Sequence, residues 1–105
     1  MYSAKTEMCV YTLTMFVIHG CAFCDAAKIA VQKLPSVPGR TVDVVHVDGR
    51  HDIRERLASK TGCRTLPSVW IGNEYIGGLN TGPPPFGGLA RVIANNLWDV
   101  ARAHH

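Results

Sequence analysis

Along residues 10–18, VYTLTMFVI, apolar β-branched and aromatic residues partly alternate with threonines and then run on without a polar break. That pattern predicts a first strand buried on both faces. From Cys24 to Leu34 the spacing changes: Ala27, Ala30, Val31 and Leu34 recur at helical intervals, and Pro35 cannot continue the run. A loop by composition at 35–40 leads into TVDVVHV at 41–47, β-branched with a polar alternate set, which predicts a second strand. Asp52 is placed to cap the segment IRERLASKTG, with Ile53 and Leu57 on its apolar face and Gly62 at its end. PSVWIG and EYIGG, joined by the turn pair Gly72-Asn73, read as a hairpin. Beyond a loop stiffened by three prolines, apolar residues at Leu89, Val92, Ile93, Leu97, Val100 and Ala101 predict a last amphipathic helix over 89–103.

The order is strand, helix, strand, helix, strand, strand, helix. Two strands joined through a helix lie parallel in one sheet, and the hairpin adds an antiparallel pair. An α/β fold with a four-stranded mixed sheet flanked by helices is the economical packing. With 105 residues, the chain suits one domain with one core, spanning about residues 10–103. The proline and glycine segment at 82–88 reads as a loop within it.

Composition narrows the function classes. A hydrophobic share of 47% against 18% charged residues is that of a soluble globular domain, and no stretch of about 18 uninterrupted apolar residues is present to suggest a membrane span. The net charge of +3 is spread without a tract of lysine and arginine, so nucleic acid is not implied. The opening MYSAKTEM does not fit a signal or transit peptide, which leaves the cytoplasm as the default location, with an organelle still open. The terminal His104 and His105 are assigned no role.

The chemistry concentrates in HGCAFCDAAK, residues 19–28, where Cys21 and Cys24 lie three positions apart between a strand and a helix. At a helix start, unsatisfied amides and the positive end of the dipole favour a thiolate at Cys21, which makes it the attacking nucleophile. One turn on, Cys24 points to the same side and can resolve a mixed disulfide formed on Cys21. A structural zinc site is the competing reading, and it needs two further ligands. Cys9, Cys63 and the histidines are the candidates, and they form no second compact pair. Cys9 reads as a small buried or edge residue, whereas Cys63 lies close to a second group of suggestive residues.

Those residues are TGCRTLPSVWIG at 61–72 and EYIGG at 74–78. Taken with GCAFCDAAK, they make the chain from about Val10 to Leu97 resemble the glutaredoxin family: a Cys-x-x-Cys helix start, a Thr-x-Pro turn at Thr65-Leu66-Pro67, and the glycine pair Gly77-Gly78. The Trp-Cys-Gly-Pro-Cys signature of thioredoxin proper is absent. The resemblance implies a thioredoxin-like fold and a dithiol enzyme that uses glutathione as co-substrate. Its partners would be disulfide-containing and glutathionylated proteins, and it would act as a monomer. Pro67 takes the place of the family's cis-proline, leaving the Leu66 backbone free to pair with an extended thiol substrate. Phe23 takes the place of a tyrosine bordering the glutathione groove. Thr65 belongs to the same turn, Arg64 would hold a glutathione carboxylate, and the glycine pair, Gly78 in particular, would let substrate approach closely.

Three departures from the family pattern carry expectations of their own. Ile18 stands where a basic anchor for a glutathione carboxylate is common, with His19 beside it. The acidic residue that follows the glycine pair is replaced by neutral Asn80 and Thr81, which, with helix-start amides, would hold the glutamyl end of glutathione; the loop here is also longer, with room for a larger thiol. Ala22 stands where reducing members have proline. Family members without that proline can hold a [2Fe-2S] cluster between two subunits through the first cysteine of each and two glutathiones. Cluster binding at Cys21, in a cluster-bridged dimer acting as sensor or carrier, is therefore the second reading. Cys63 is left open between a buried inert thiol and one that forms a disulfide with glutathione or a partner.

Overall fold

The computed structural model describes residues 12–35 and 40–98. Cys9, Val10 and residues 99–105, on which parts of the sequence reading fall, lie outside them.

Strand β1 (Thr12–Val17) is the centre of the fold. Its side chains alternate: Leu13, Met15 and Val17 are fully buried, while Thr12, Thr14 and Phe16 are half-buried on the other face. The expectation of a strand sealed on both faces is thus corrected, because the second face is only partly covered. Helix α1 (Ala22–Gln32) begins two residues earlier than the periodicity alone predicts, with Cys21 as its cap. It buries Cys24, Ala27 and Val31, residues spaced three and four apart on one stripe. Strand β2 (Thr41–His46) pairs parallel with β1 in the register Thr12 to Thr41 through Val17 to His46, the crossover between them being made through α1. It is an edge strand, and Val42 and Val44 remain exposed.

Helix α2 (His51–Thr61) departs from its expected cap. Arg50 occupies the N-cap without capping the helix through its side chain, and Asp52 lies in the first turn, gripped by the Arg50 guanidinium at 3.2 and 3.0 Å. The cation is the largest influence that lowers this carboxyl, ahead of the amides of Ile53 and Asp52. Termination follows the sequence: Gly62 takes a left-handed φ of 76° and its amide donates to the Ala58 carbonyl.

Strands β3 (Ser68–Ile71) and β4 (Glu74–Gly77) form the hairpin about Gly72-Asn73, and β3 runs antiparallel to β1, giving the sheet order β2-β1-β3-β4. Helix α3 runs over Leu89–Ala94, and within the described residues the predicted run 89–103 is interrupted after it. Asn96 adopts a positive φ of 54°, which breaks the helix and turns Leu97 and Trp98 back onto the core. The core therefore lies between one face of the sheet and helices α1 and α3, with Phe86, Leu89, Val92 and Trp98 packed against Leu13, Met15, Val69, Ile71 and Ile76.

Met15 is 0% exposed at the middle of this core. Met15→Ala should lower unfolding stability by about 2–5 kcal/mol, from lost transfer energy plus a cavity. Urea denaturation checks it, and a loss below about 0.5 kcal/mol would place the side chain outside a packed core.

Candidate active site

The first cysteine is positioned by the junction of β1 and α1. Cys21 has extended backbone angles at the N-cap, and its Sγ accepts a hydrogen bond from the Cys24 amide at 3.3 Å. A sulfur acts here as serine or aspartate acts at an ordinary N-cap, so an amide of the first helical turn points at it. Its S–H donates in turn to the Leu66 carbonyl at 3.9 Å, a weak bond that ties it to the turn before β3. Cys21 is half-buried and Cys24 is fully buried beneath it; both are free thiols.

The two thiols differ in acidity. Burial first, then the hydrogen bond and charge of the Cys21 sulfur, push the Cys24 thiol up from 9.0 to about 11. Cys24 is therefore protonated at neutral pH while Cys21 is the accessible sulfur. The sign for stability follows. The folded chain binds this proton more tightly than the unfolded one, so the contribution is whole below 9.0 and is lost as pH rises towards 11. The stability lead of the reduced wild type over Cys24→Ala should shrink across that interval in paired urea unfolding curves. A constant lead would contradict a raised thiol.

Beside Cys21 lies an open groove of about 290 Å³, lined by Phe23, Thr65, Leu66, Pro67, Gly78, Leu79, Asn80 and Thr81. Three separate segments build it. The first turn of α1 supplies Phe23, which is 59% exposed; the turn before β3 supplies Thr65 to Pro67; the loop after β4 supplies the rest. The Leu66–Pro67 peptide is cis. Seven of the eight lining residues were expected from the sequence; Leu79 was passed over, although it sits within the motif itself.

The glycine pair has two different roles. At Gly77, φ is 118° and a Cβ would lie 2.3 Å from the Thr81 carbonyl oxygen, so the close approach is made by the chain's own loop. Gly78 faces the Pro67 carbonyl oxygen across the groove, 3.3 Å from where its Cβ would be, and its amide donates to Thr81 O at 2.8 Å. The amides of Leu89 and Ala90, at the start of α3, donate to the carbonyls of Gly78 and Leu79, both at 2.8 Å. The expectation that helix-start amides take up a substrate is corrected for these two, because the loop itself consumes them.

Arg64 stands apart from the groove. Its guanidinium forms a short ion pair with Glu55 of α2, and the two line a separate surface depression with Gly62. Glu55 consequently holds the Arg64 proton more firmly, and Arg64 pulls the Glu55 carboxyl below its usual range. Cys63 is exposed, which removes the reading of a buried inert thiol; its amide donates to Thr61 Oγ1 at 3.1 Å.

One cluster close to Cys21 escaped the sequence reading. The Asp48 carboxylate accepts from the His19 amide at 2.9 Å and bonds its Nδ1 at 3.0 Å, and the His19 backbone contact chiefly holds the Asp48 carboxyl below its ordinary value. His19 stacks on His46, with ring centroids 4.3 Å apart, and His46 Nε2 lies 3.3 Å from Lys28 Nζ. The clamp pins the β1–α1 loop to the β2–α2 loop. Its members are 29 residues apart, so no local pattern announces it.

Comparison with known proteins gives this architecture a place. The glutaredoxin family model matches residues 9–76. Chicken glutaredoxin-1 is 35% identical over 68 residues, covering 65% of this chain and 66% of that protein. Tomato glutaredoxin is 41% identical over 63 residues, covering 57% and 55%. The matched region thus spans about two-thirds or less of these relatives. Among solved structures, the holo form of glutaredoxin C1 from Populus tremula x tremuloides superposes with a TM-score of 0.67 at 22% identity, over 97% of this chain and 85% of the other. A buckwheat glutaredoxin–glutathione complex gives 0.58 at 23%, over 97% and 82%, and at such identities the likeness speaks for the fold alone. The sheet order, the cysteine-capped helix and a family model matched across most of the chain agree, and the chain belongs to the glutaredoxin family.

Proposed function

We propose that the protein is a glutathione-dependent thiol–disulfide oxidoreductase of the dithiol type. The observation that carries this reading is the placement of Cys21: an accessible sulfur at a helix N-cap, facing an amide, beside an open groove of about 290 Å³. In the proposed cycle the Cys21 thiolate attacks a glutathionylated protein. A new bond forms between Cys21 and the glutathione sulfur, and the protein thiolate leaves. A second glutathione thiolate attacks the glutathione sulfur of that mixed disulfide. Oxidised glutathione departs, one half of it from the substrate and the other from the single free glutathione consumed, and Cys21 is returned as thiolate.

For a protein disulfide, Cys21 becomes joined to one substrate sulfur and Cys24 resolves the adduct. Its thiolate attacks Cys21 Sγ, the substrate thiolate leaves, and two glutathiones later reduce the internal disulfide. Capping Cys21 removes its charge and its hydrogen bond, two of the influences that raise Cys24, so the resolving thiol ionises more readily once it is needed. Phe23, Thr65, Leu66, Pro67, Gly78, Asn80 and Thr81 would receive the glutathione unit, as the complex of the buckwheat relative encourages. Disulfide-containing and glutathionylated proteins are the proposed partners, the monomer the proposed working form, and a reducing compartment such as the cytoplasm its setting.

Cluster binding is the alternative. Among the described residues no group of three or more His, Cys, Asp and Glu side chains could hold a metal ion, so a [2Fe-2S] cluster would draw on Cys21 from two copies and on exogenous thiols. The redox cycle requires one chain only, and the geometry supports it directly. The test is the visible spectrum and iron content of protein reconstituted anaerobically with iron, sulfide and glutathione, followed by a mixed-disulfide reduction assay on the same sample. A colourless, active monomer is expected; a brown, inactive dimer that gains activity on losing iron would replace the reading with the cluster.

A further inference from the structure

On the face of the sheet opposite the core lies a second concavity, which the redox cycle does not use. Thr14 and Phe16 of β1 are only half-buried there, and helix α2, which lines the same space, buries Leu57 alone. Its narrow apolar stripe leaves part of the sheet uncovered. The result is an open cleft of about 330 Å³ between helix and strands, within the size range of small-molecule sites.

The walls are apolar, with Phe16 and Trp70 from the sheet and Ile53 and Leu57 from the helix. The indole is held in place, since Trp70 Nε1 donates to Ser68 Oγ at 3.0 Å and the ring packs on Tyr75 with centroids 5.4 Å apart. A ligand would meet a rigid aromatic surface, which lowers the ordering cost of binding. At the mouth stand two exposed cations, Arg56 and Lys60, one turn apart on α2. Neither forms a hydrogen bond or ion pair with a described residue, because the carboxylates of the same helix are taken, Asp52 by Arg50 and Glu55 by Arg64. No carboxylate lines the cleft. Like charges four residues apart on a helix repel, and an anion held between them relieves that repulsion while its apolar body covers Phe16 and Trp70.

We propose that this cleft is a binding site for a small aromatic anion, a planar ring system carrying one acidic group. The ring lies against Trp70 and Phe16, with Ile53 and Leu57 on its other side, and the anionic group sits between Arg56 and Lys60. The cleft shares no lining residue with the groove beside Cys21, so the proposal stands apart from the redox reading.

The experiment titrates the full-length, isotope-labelled wild-type protein with naphthoate and with naphthamide, its neutral isostere, and follows the backbone amide resonances. Naphthoate is expected to give saturable shifts centred on Phe16, Ile53, Leu57 and Trp70, with a Kd on the order of a millimolar or tighter. Naphthamide should bind about three- to tenfold more weakly, the scale of one or two exposed charge pairs. The doubly substituted Arg56→Gln, Lys60→Gln protein should lose that difference and bind the two probes alike. Equal affinity of the wild type for acid and amide, shifts centred on the groove beside Cys21, or no saturable shift at all would overturn the proposal. So would Overhauser contacts showing residues 1–11 seated in the cleft of the free protein, which would assign the space to the chain itself.

Discussion

Serine in place of Cys21 is expected to bring both reactions, reduction of glutathione mixed disulfides and of protein disulfides, down to the uncatalysed rate. A hydroxyl preserves the N-cap, since it too can accept the Cys24 amide, but it forms no bond to a disulfide sulfur at neutral pH. Fold and stability should therefore survive, with a change within about 1 kcal/mol, and the loss is one of chemistry alone. Circular dichroism and a mixed-disulfide assay on the same preparation separate the two effects. Residual catalysis in a folded Cys21→Ser protein would point to exposed Cys63 as a competent nucleophile and would unseat Cys21.

Serine at position 24 has the opposite signature. The buried thiol lies beneath Cys21 and enters only when a protein disulfide has to be resolved. Cys24→Ser should keep reduction of glutathione mixed disulfides within roughly tenfold of wild type, because that cycle needs one cysteine and free thiol. Reduction of protein disulfides should collapse to the slow route in which glutathione itself resolves the adduct. The substitution also leaves a hydroxyl in a buried site, at a cost of about 1–3 kcal/mol that unfolding measurements can account for. Equal loss of both activities in a folded variant would mean that the second cysteine serves the nucleophile and not the resolving step.

How much of this was legible beforehand depends on how far apart the interacting residues are. The strand, cysteine pair and helix are local, and their periodicities survive folding, so β1, α1 and the hairpin at Gly72-Asn73 stand where the sequence put them. The groove was legible through short motifs, each confined to one loop. What failed was decided by partners elsewhere in the chain. Asp52 left the N-cap position to Arg50, Arg64 was turned from the groove by Glu55 nine residues away, and helix α3 ended at Ala94, where the turn through Asn96 carries Leu97 and Trp98 onto the core. The His19–Asp48 clamp joins two loops that only the parallel pairing of β1 with β2 brings together, beyond the reach of any window along the sequence.

The glutathione adduct on the nucleophile is the common intermediate of the proposed cycle. Trapping it is the most direct test: Cys24→Ser protein, treated with oxidised glutathione and digested without reductant, is mapped by mass spectrometry of its peptides. The account predicts one glutathione on Cys21, removed again by added glutathione. Modification at Cys63 with Cys21 left free would contradict it.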